Sequence, residues 1–121
     1  MAKRILVVDD EAPVRLLLEK QLQSAGYEVV TCADGRSALR VARENRPDLA
    51  VLDLTMPGLD GYALLSMFRR DQNLRVPVII LSGRIKEMDI QAALDAGADA
   101  FIAKPADRET LLAKVAELLA R

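Results

Sequence analysis

Four short apolar runs each end on a residue able to do chemistry. Ile5-Leu6-Val7-Val8 runs into Asp9-Asp10, and Leu49-Ala50-Val51-Leu52 runs into Asp53. Val78-Ile79-Ile80-Leu81 runs into Ser82, and Phe101-Ile102-Ala103 runs into Lys104-Pro105. If these runs are parallel buried strands, three carboxylates, a hydroxyl and an ammonium converge at one sheet edge. Two like charges about 4 Å apart near a protein surface repel by about 4 kcal/mol, so the carboxylates call for a counter-charge. Lys104 supplies one positive charge and a hard divalent cation supplies two. Mg2+ characteristically takes one or two carboxylates together with water and phosphate oxygens. The chain has no histidine and one cysteine, which disfavours zinc and copper. Mg2+ is therefore the expected metal, with Mn2+ as the substitute. Carboxylates also act as nucleophiles toward phosphoryl groups, forming an aspartyl phosphate. Such a transfer is largely positioning and charge neutralisation. Asp53, central by strand order, is the candidate nucleophile, and Asp9 and Asp10 are the candidate metal holders. Ser82 and the Ser82-Gly83 backbone can donate to phosphoryl oxygens. Lys104 is expected to pair with Asp53 at rest and with the phosphoryl group afterwards.

Each residue alone has a plainer reading. An aspartate after a strand is often a turn or helix-cap residue. Ser82-Gly83 is an ordinary turn, and Lys104 before Pro105 is steered away from helix. Their joint occurrence at four strand ends is what carries the chemical reading.

The elements that must position these residues alternate along the chain. The strands are read at Ile5–Val8, Tyr27–Cys32, Asp48–Asp53, Val76–Leu81 and Asp99–Ala103. Between them lie stretches of helical periodicity. The first helix has Pro13 in its first turn, a stripe of Val14, Leu17, Leu18, Gln21, Leu22 and Ala25, and a stop at Gly26. A second carries Ala38, Val41 and Ala42 and ends before Pro47. The third is capped by Asp60 and turns Leu64, Leu65 and Phe68 inward. A fourth runs from about Lys86 to Ala96 and stops at Gly97. Asp107 caps the fifth, with Leu111, Leu112, Val115, Leu118 and Leu119 as its stripe. Near-continuous apolar strands flanked by helices predict a parallel sheet covered on both faces. With right-handed crossovers, the fold class is α/β: a doubly wound five-stranded parallel sheet in order 2-1-3-4-5, a (βα)5 three-layer sandwich. Its ligand crevice falls between strands 1 and 3, where the aspartates lie.

The bulk composition agrees with this reading. The chain has 121 residues, 51% of them hydrophobic, which suits one domain over residues 1–121 with no linker. Net charge is −1, so nothing favours nucleic acid or an anionic membrane. Cys32 alone excludes an intrachain disulfide and is expected buried. No run approaches the length of a membrane span, so a cytoplasmic protein is expected. A flavin protein on the same topology would need a phosphate-cradling loop after strand 1, and Asp9-Asp10-Glu11 argues against one.

The sequence resembles, over its whole length, the receiver domain of bacterial response regulators, the CheY-like branch of the flavodoxin-like fold. The carriers are Val7-Val8-Asp9-Asp10-Glu11, Asp53-Leu54-Thr55-Met56-Pro57-Gly58-Leu59-Asp60-Gly61, Leu81-Ser82-Gly83, and Gly97-Ala98-Asp99-Ala100-Phe101-Ile102-Ala103-Lys104-Pro105. The resemblance implies a phosphoacceptor switch of a two-component phosphorelay. Asp53 would accept a phosphoryl group from a phosphohistidine on a sensor histidine kinase or histidine phosphotransfer protein. Asp10 and Asp53 would ligate Mg2+, Asp9 would act through a bound water, and the Thr55 carbonyl would complete the protein ligands. Ser82 matches the switch hydroxyl, Lys104 the phosphate-binding lysine, and Phe101 the aromatic switch residue. Lys104-Pro105 matches a cis peptide, Gly61 opens the third helix, and Thr55 and Arg84 hold the positions that tune acyl-phosphate hydrolysis. The chain would catalyse only its own phosphorylation and dephosphorylation. The altered surface would be the fourth helix, fifth strand and fifth helix, which would bind a downstream effector. Ala100 and Ala106 depart from the winged-helix transcription-factor branch. Ile85 and Met88 are candidates for a partner patch.

Overall fold

A computed structural model describes residues 2–54, 61–83 and 87–121. Five parallel strands, β1 (Arg4–Val8), β2 (Glu28–Cys32), β3 (Leu49–Asp53), β4 (Val78–Ser82) and β5 (Ala100–Ala103), form one sheet in the order β2-β1-β3-β4-β5. The expected order is thus the observed one. Helices α1 (Ala12–Ser24), α2 (Gly35–Asn45), α3 (Gly61–Arg70), α4 (Glu87–Asp95) and α5 (Arg108–Leu119) follow the strands in turn.

Side chains alternate across a strand, so each strand feeds two cores. Leu6, Val8, Ala50, Leu52, Val78 and Ile80 join Ala38, Ala42, Leu64, Leu65, Phe68 and Ala93 in the cluster under α2, α3 and α4. Ile5, Val7, Leu49, Val51, Ile79, Leu81 and Ile102 join Leu18, Leu22, Leu111, Val115 and Leu118 under α1 and α5. β3 and β4 are buried along their whole length, which is why they read as unbroken apolar runs.

The expected helix signals act largely as read. Pro13 lies in the first turn of α1, and the Asp107 carboxylate accepts from Thr110 N at 3.1 Å to cap α5. Asp34 does the same for α2, accepting from Ser37 N at 2.8 Å. The Ser37 amide, and after it the Ser37 hydroxyl donating at 3.3 Å, hold the Asp34 carboxyl below its ordinary pKa. Cys32 is buried, and burial, with Asp34 assisting, pushes its thiol up.

Six strand ends and one stripe differ from the sequence reading; β1 begins one residue earlier, at Arg4, and β4 runs on through Ser82. Tyr27 N bonds Leu22 O and closes the helix end instead of joining β2. Asp48 lies outside β3, where its Oδ2 accepts from Arg4 N at 2.8 Å. β4 starts at Val78 because the Val76 carbonyl is taken by Arg69, at 2.9 Å. Asp99 precedes β5 and accepts from Val78 N at 2.8 Å. In α1, Leu18 and Leu22 are buried, whereas Leu17 is 54% exposed and Ala25 is also exposed. Three consecutive leucines at about 100° per residue cannot all face one sheet. A 3-10 turn at Gln72–Leu74 was not expected; it buries Leu74 and is capped by Asp71. The expected Asp60 cap lies outside the described residues. Among the described residues, no helix is long and apolar enough to cross a membrane.

Candidate active site

Strand register brings the reactive residues together. Val8 pairs with Leu52, so the next residues, Asp9 and Asp53, leave adjacent strands side by side. Asp9 N donates to Cys32 O at 3.1 Å, which fixes the turn out of β1. Across the sheet, Ser82 pairs with Ala103 and Lys104 N donates to Ser82 O at 2.8 Å. Lys104 therefore leaves β5 beside the end of β4. The Lys104–Pro105 peptide bond is cis.

Alternation decides which side chains meet. Asp9, Asp53 and Lys104 continue the series Ile5-Val7, Leu49-Val51 and Ala100-Ile102, which all face α1 and α5. Lys104 Nζ lies 2.8 Å from Asp9 Oδ2, 3.3 Å from Asp53 Oδ1 and 3.7 Å from Glu11 Oε1. The expected Lys104–Asp53 pairing is present, but the shortest contact is to Asp9. Glu11, which the motif reading left without a role, joins through its exposed carboxylate. Burial would lower the Lys104 pKa; the contact with Asp9 and the charge of Asp53 outweigh it and raise the ammonium above its ordinary value.

Carboxylate oxygens of Asp9, Asp10 and Asp53 lie within 4.8 Å of one another. Asp9 and Asp53 are buried, while Asp10 faces solvent. Asp9 Oδ1 accepts from Glu11 N at 2.9 Å. Asp9 Oδ2 is buried and lies 2.8 Å from the Lys104 ammonium. One ammonium cannot balance three clustered aspartates, and their oxygen-only donor set fits a hard divalent cation.

Ser82 is buried at the end of β4, on the strand face shared with Ile80. Phe101 pairs in register with Ile80 and packs half-buried against the same cluster. The two expected switch residues thus share the α2–α4 side of the sheet, opposite Asp9, Asp53 and Lys104. Thr55 and Arg84 lie outside the described residues, as does Ile85; the Met88 side chain does too.

Gly61, expected to open the third helix, does so at α3. A Cβ there would stand 2.3 Å from the Asp53 carbonyl oxygen and 2.8 Å from Leu54 Cα. Gly61 N also donates to Leu54 O at 3.2 Å. The helix start therefore rests directly on the backbone of the central aspartate.

Comparison with known proteins agrees with this arrangement. The family model described as "Response regulator receiver domain" matches residues 5–116. The chain belongs to the response regulator receiver domain family. It is 48% identical over 118 residues to the transcriptional regulatory protein PrrA of Mycobacterium tuberculosis, covering 98% of this chain and 50% of that protein. The chain thus spans about half the length of the curated relatives it matches. Chemotaxis protein CheY4 of Vibrio cholerae superposes with a TM-score of 0.93 at 32% identity, covering 98% of this chain and 99% of that one. The receiver domain of sensor histidine kinase PA1611 of Pseudomonas aeruginosa superposes at 0.92 with 33% identity over the whole of both chains. That receiver was solved with a magnesium ion coordinated in its active-site cleft. As a receiver, this chain is a signalling module of two-component systems, and its acidic pocket is consistent with a divalent metal and a phosphoacceptor aspartate.

Proposed function

We propose that the receiver, acting as one unit over residues 1–121, is phosphorylated on Asp53 by a partner phosphohistidine and dephosphorylates itself. The observation that carries this is the Asp9, Asp10 and Asp53 cluster within 4.8 Å, with Lys104 Nζ 3.3 Å from Asp53 Oδ1. Asp53 ends a fully buried strand, so its carboxylate is presented on a rigid element. In the reaction, an Asp53 oxygen forms a bond to phosphorus as the bond from phosphorus to the donor imidazole nitrogen breaks. The imidazole nitrogen is left to take up a proton.

Asp9, Asp10 and Asp53, with the Thr55 carbonyl, would hold Mg2+, and Mn2+ suits the same oxygen donors. The bound ion supplies charge neutralisation for the transferring phosphoryl group. Lys104 exchanges a carboxylate contact for a phosphoryl oxygen, and the Ser82 hydroxyl donates to another. Phosphorylation adds about −1.5 to −2 charges and three acceptor oxygens, so both residues gain a differential reason to move. Ser82 shares a sheet face with Phe101, which supports a readout through that ring to α4, β5 and α5 and so to an effector protein or domain. Thr55 and Arg84 would tune the lifetime of the acyl phosphate.

The test is intact mass after incubation with Mg2+ and a small phosphodonor. One phosphoryl increment is expected, lost with chelator and in Asp53→Asn. An unaltered protein that gains no mass, where another receiver labels in parallel, would sink the reading.

A further inference from the structure

We propose that the Tyr62 hydroxyl is a positioning latch that holds the first turn of α4 in the unphosphorylated arrangement and so sets how readily the switch turns. The proposal rests on the phosphoacceptor reading above.

Tyr62 follows Gly61, where a Cβ would stand only 2.3 Å from the Asp53 carbonyl oxygen. The backbone that carries the tyrosine is therefore referenced to the phosphoacceptor strand. Its ring packs against the α2–α4 cluster, and its hydroxyl donates to the Asp89 carbonyl at 3.0 Å in a part-buried contact. Asp89 lies in the first turn of α4, the end of the helix nearest Ser82 in the chain. The opposite end is tied more heavily. The Gly97 carbonyl accepts from Arg69 Nε at 3.0 Å and from a terminal guanidinium nitrogen at 2.8 Å. The same guanidinium reaches Asp99 Oδ2 at 3.0 Å. α4 is thus clamped at its carboxyl end, and the phenol is a cross-link to α3 at the amino end.

This bond coexists with the contacts of the Lys104 ammonium to Asp9 and Asp53, the pairing that the phosphoacceptor reading assigns to the resting switch. Any displacement of the start of α4 away from α3 must stretch it. The Asp89 carbonyl has a second lone pair for its helix bond, so removing the phenol hydroxyl leaves no orphaned acceptor. Tyr62→Phe keeps the ring and should fold.

Two measurements decide it. In amide hydrogen exchange without Mg2+, Tyr62→Phe should exchange faster than the unaltered protein at the start of α4, with β1 and β3 unchanged. In the presence of Mg2+, beryllium fluoride, a phosphoryl mimic, should bind Tyr62→Phe about three- to tenfold more tightly, the worth of one ordinary hydrogen bond. Affinity for Mg2+ alone should not change, which a merely structural defect would not guarantee. Unchanged exchange in α4, or equal or weaker binding of beryllium fluoride, would overturn the latch. If beryllium fluoride failed to bind even the unaltered protein, the phosphoacceptor reading would fall, and the exchange measurement would still decide whether Tyr62 restrains α4.

Discussion

At Gly61 one missing methyl group determines where α3 begins. Any side chain there would overlap the Asp53 carbonyl, and backbone cannot yield as a flexible side chain can. Gly61→Ala is expected to lose about 1–3 kcal/mol, the usual toll of overpacking, measured by urea unfolding. It should also slow phosphoryl uptake, because the displaced backbone belongs to the acceptor. Lys104 makes a second residue-scale prediction. Its pKa is raised in the folded protein, so its stabilisation is complete below the ordinary lysine value of about 10.4 and lost as pH climbs through the raised value. Without Mg2+, the unaltered protein should lose stability in that alkaline window. Lys104→Ala should be weaker at neutral pH but should lack that loss. Parallel alkaline losses in the two proteins would argue against it. Asp9, Asp53, Ser82 and Lys104 were visible as candidates because each ends an apolar run. Glu11 and Tyr62 were not, since an exposed acid after two aspartates and a tyrosine after a glycine have no distinctive spacing. Their partners, Lys104 and the Asp89 carbonyl, are distant in sequence.

At the scale of elements, the helices and strands were legible wherever burial followed one period. β3 and β4 are apolar throughout, and α5 buries Leu111, Val115 and Leu118 from its expected stripe. Four of the misread ends lie where a side chain or helix terminus takes over a backbone group, as Arg69, Asp48 and Asp99 do. Such tertiary substitutions leave no periodic trace. The end of α2 offers a test. Arg46 caps it with φ of 47°, a left-handed conformation that favours glycine. Arg46→Gly removes strain of about 1 kcal/mol. Thermal unfolding should shift upward by about 3–5 °C; a fall in the midpoint would mean that the arginine side chain contributes more than its backbone loses.

For the whole molecule, the acidic pocket couples folding to metal. A ligand that binds only the folded state stabilises it by about 2.7 kcal/mol at 100 times its dissociation constant. Mg2+ should therefore raise the unfolding midpoint in a saturable way. Asp10 belongs to the cluster, while the Lys104 ammonium contacts Asp9, Asp53 and Glu11, so Asp10→Asn relieves repulsion. That variant should be more stable than the unaltered protein in chelator, and Mg2+ should then add little. The same midpoint gain with Mg2+ in both proteins would remove Asp10 from the site. The overall topology was readable because alternating strand and helix signals leave few arrangements, whereas the division of labour across the sheet depends on register. Phe101 and Lys104 are three positions apart, an odd number, and so lie on opposite faces of β5's line. This parity restricts how such a chain can change length. Loops can gain or lose residues singly, but between ring and ammonium a lone insertion or deletion would exchange the two faces and leave the aspartates without their cation. Only paired changes preserve the wiring.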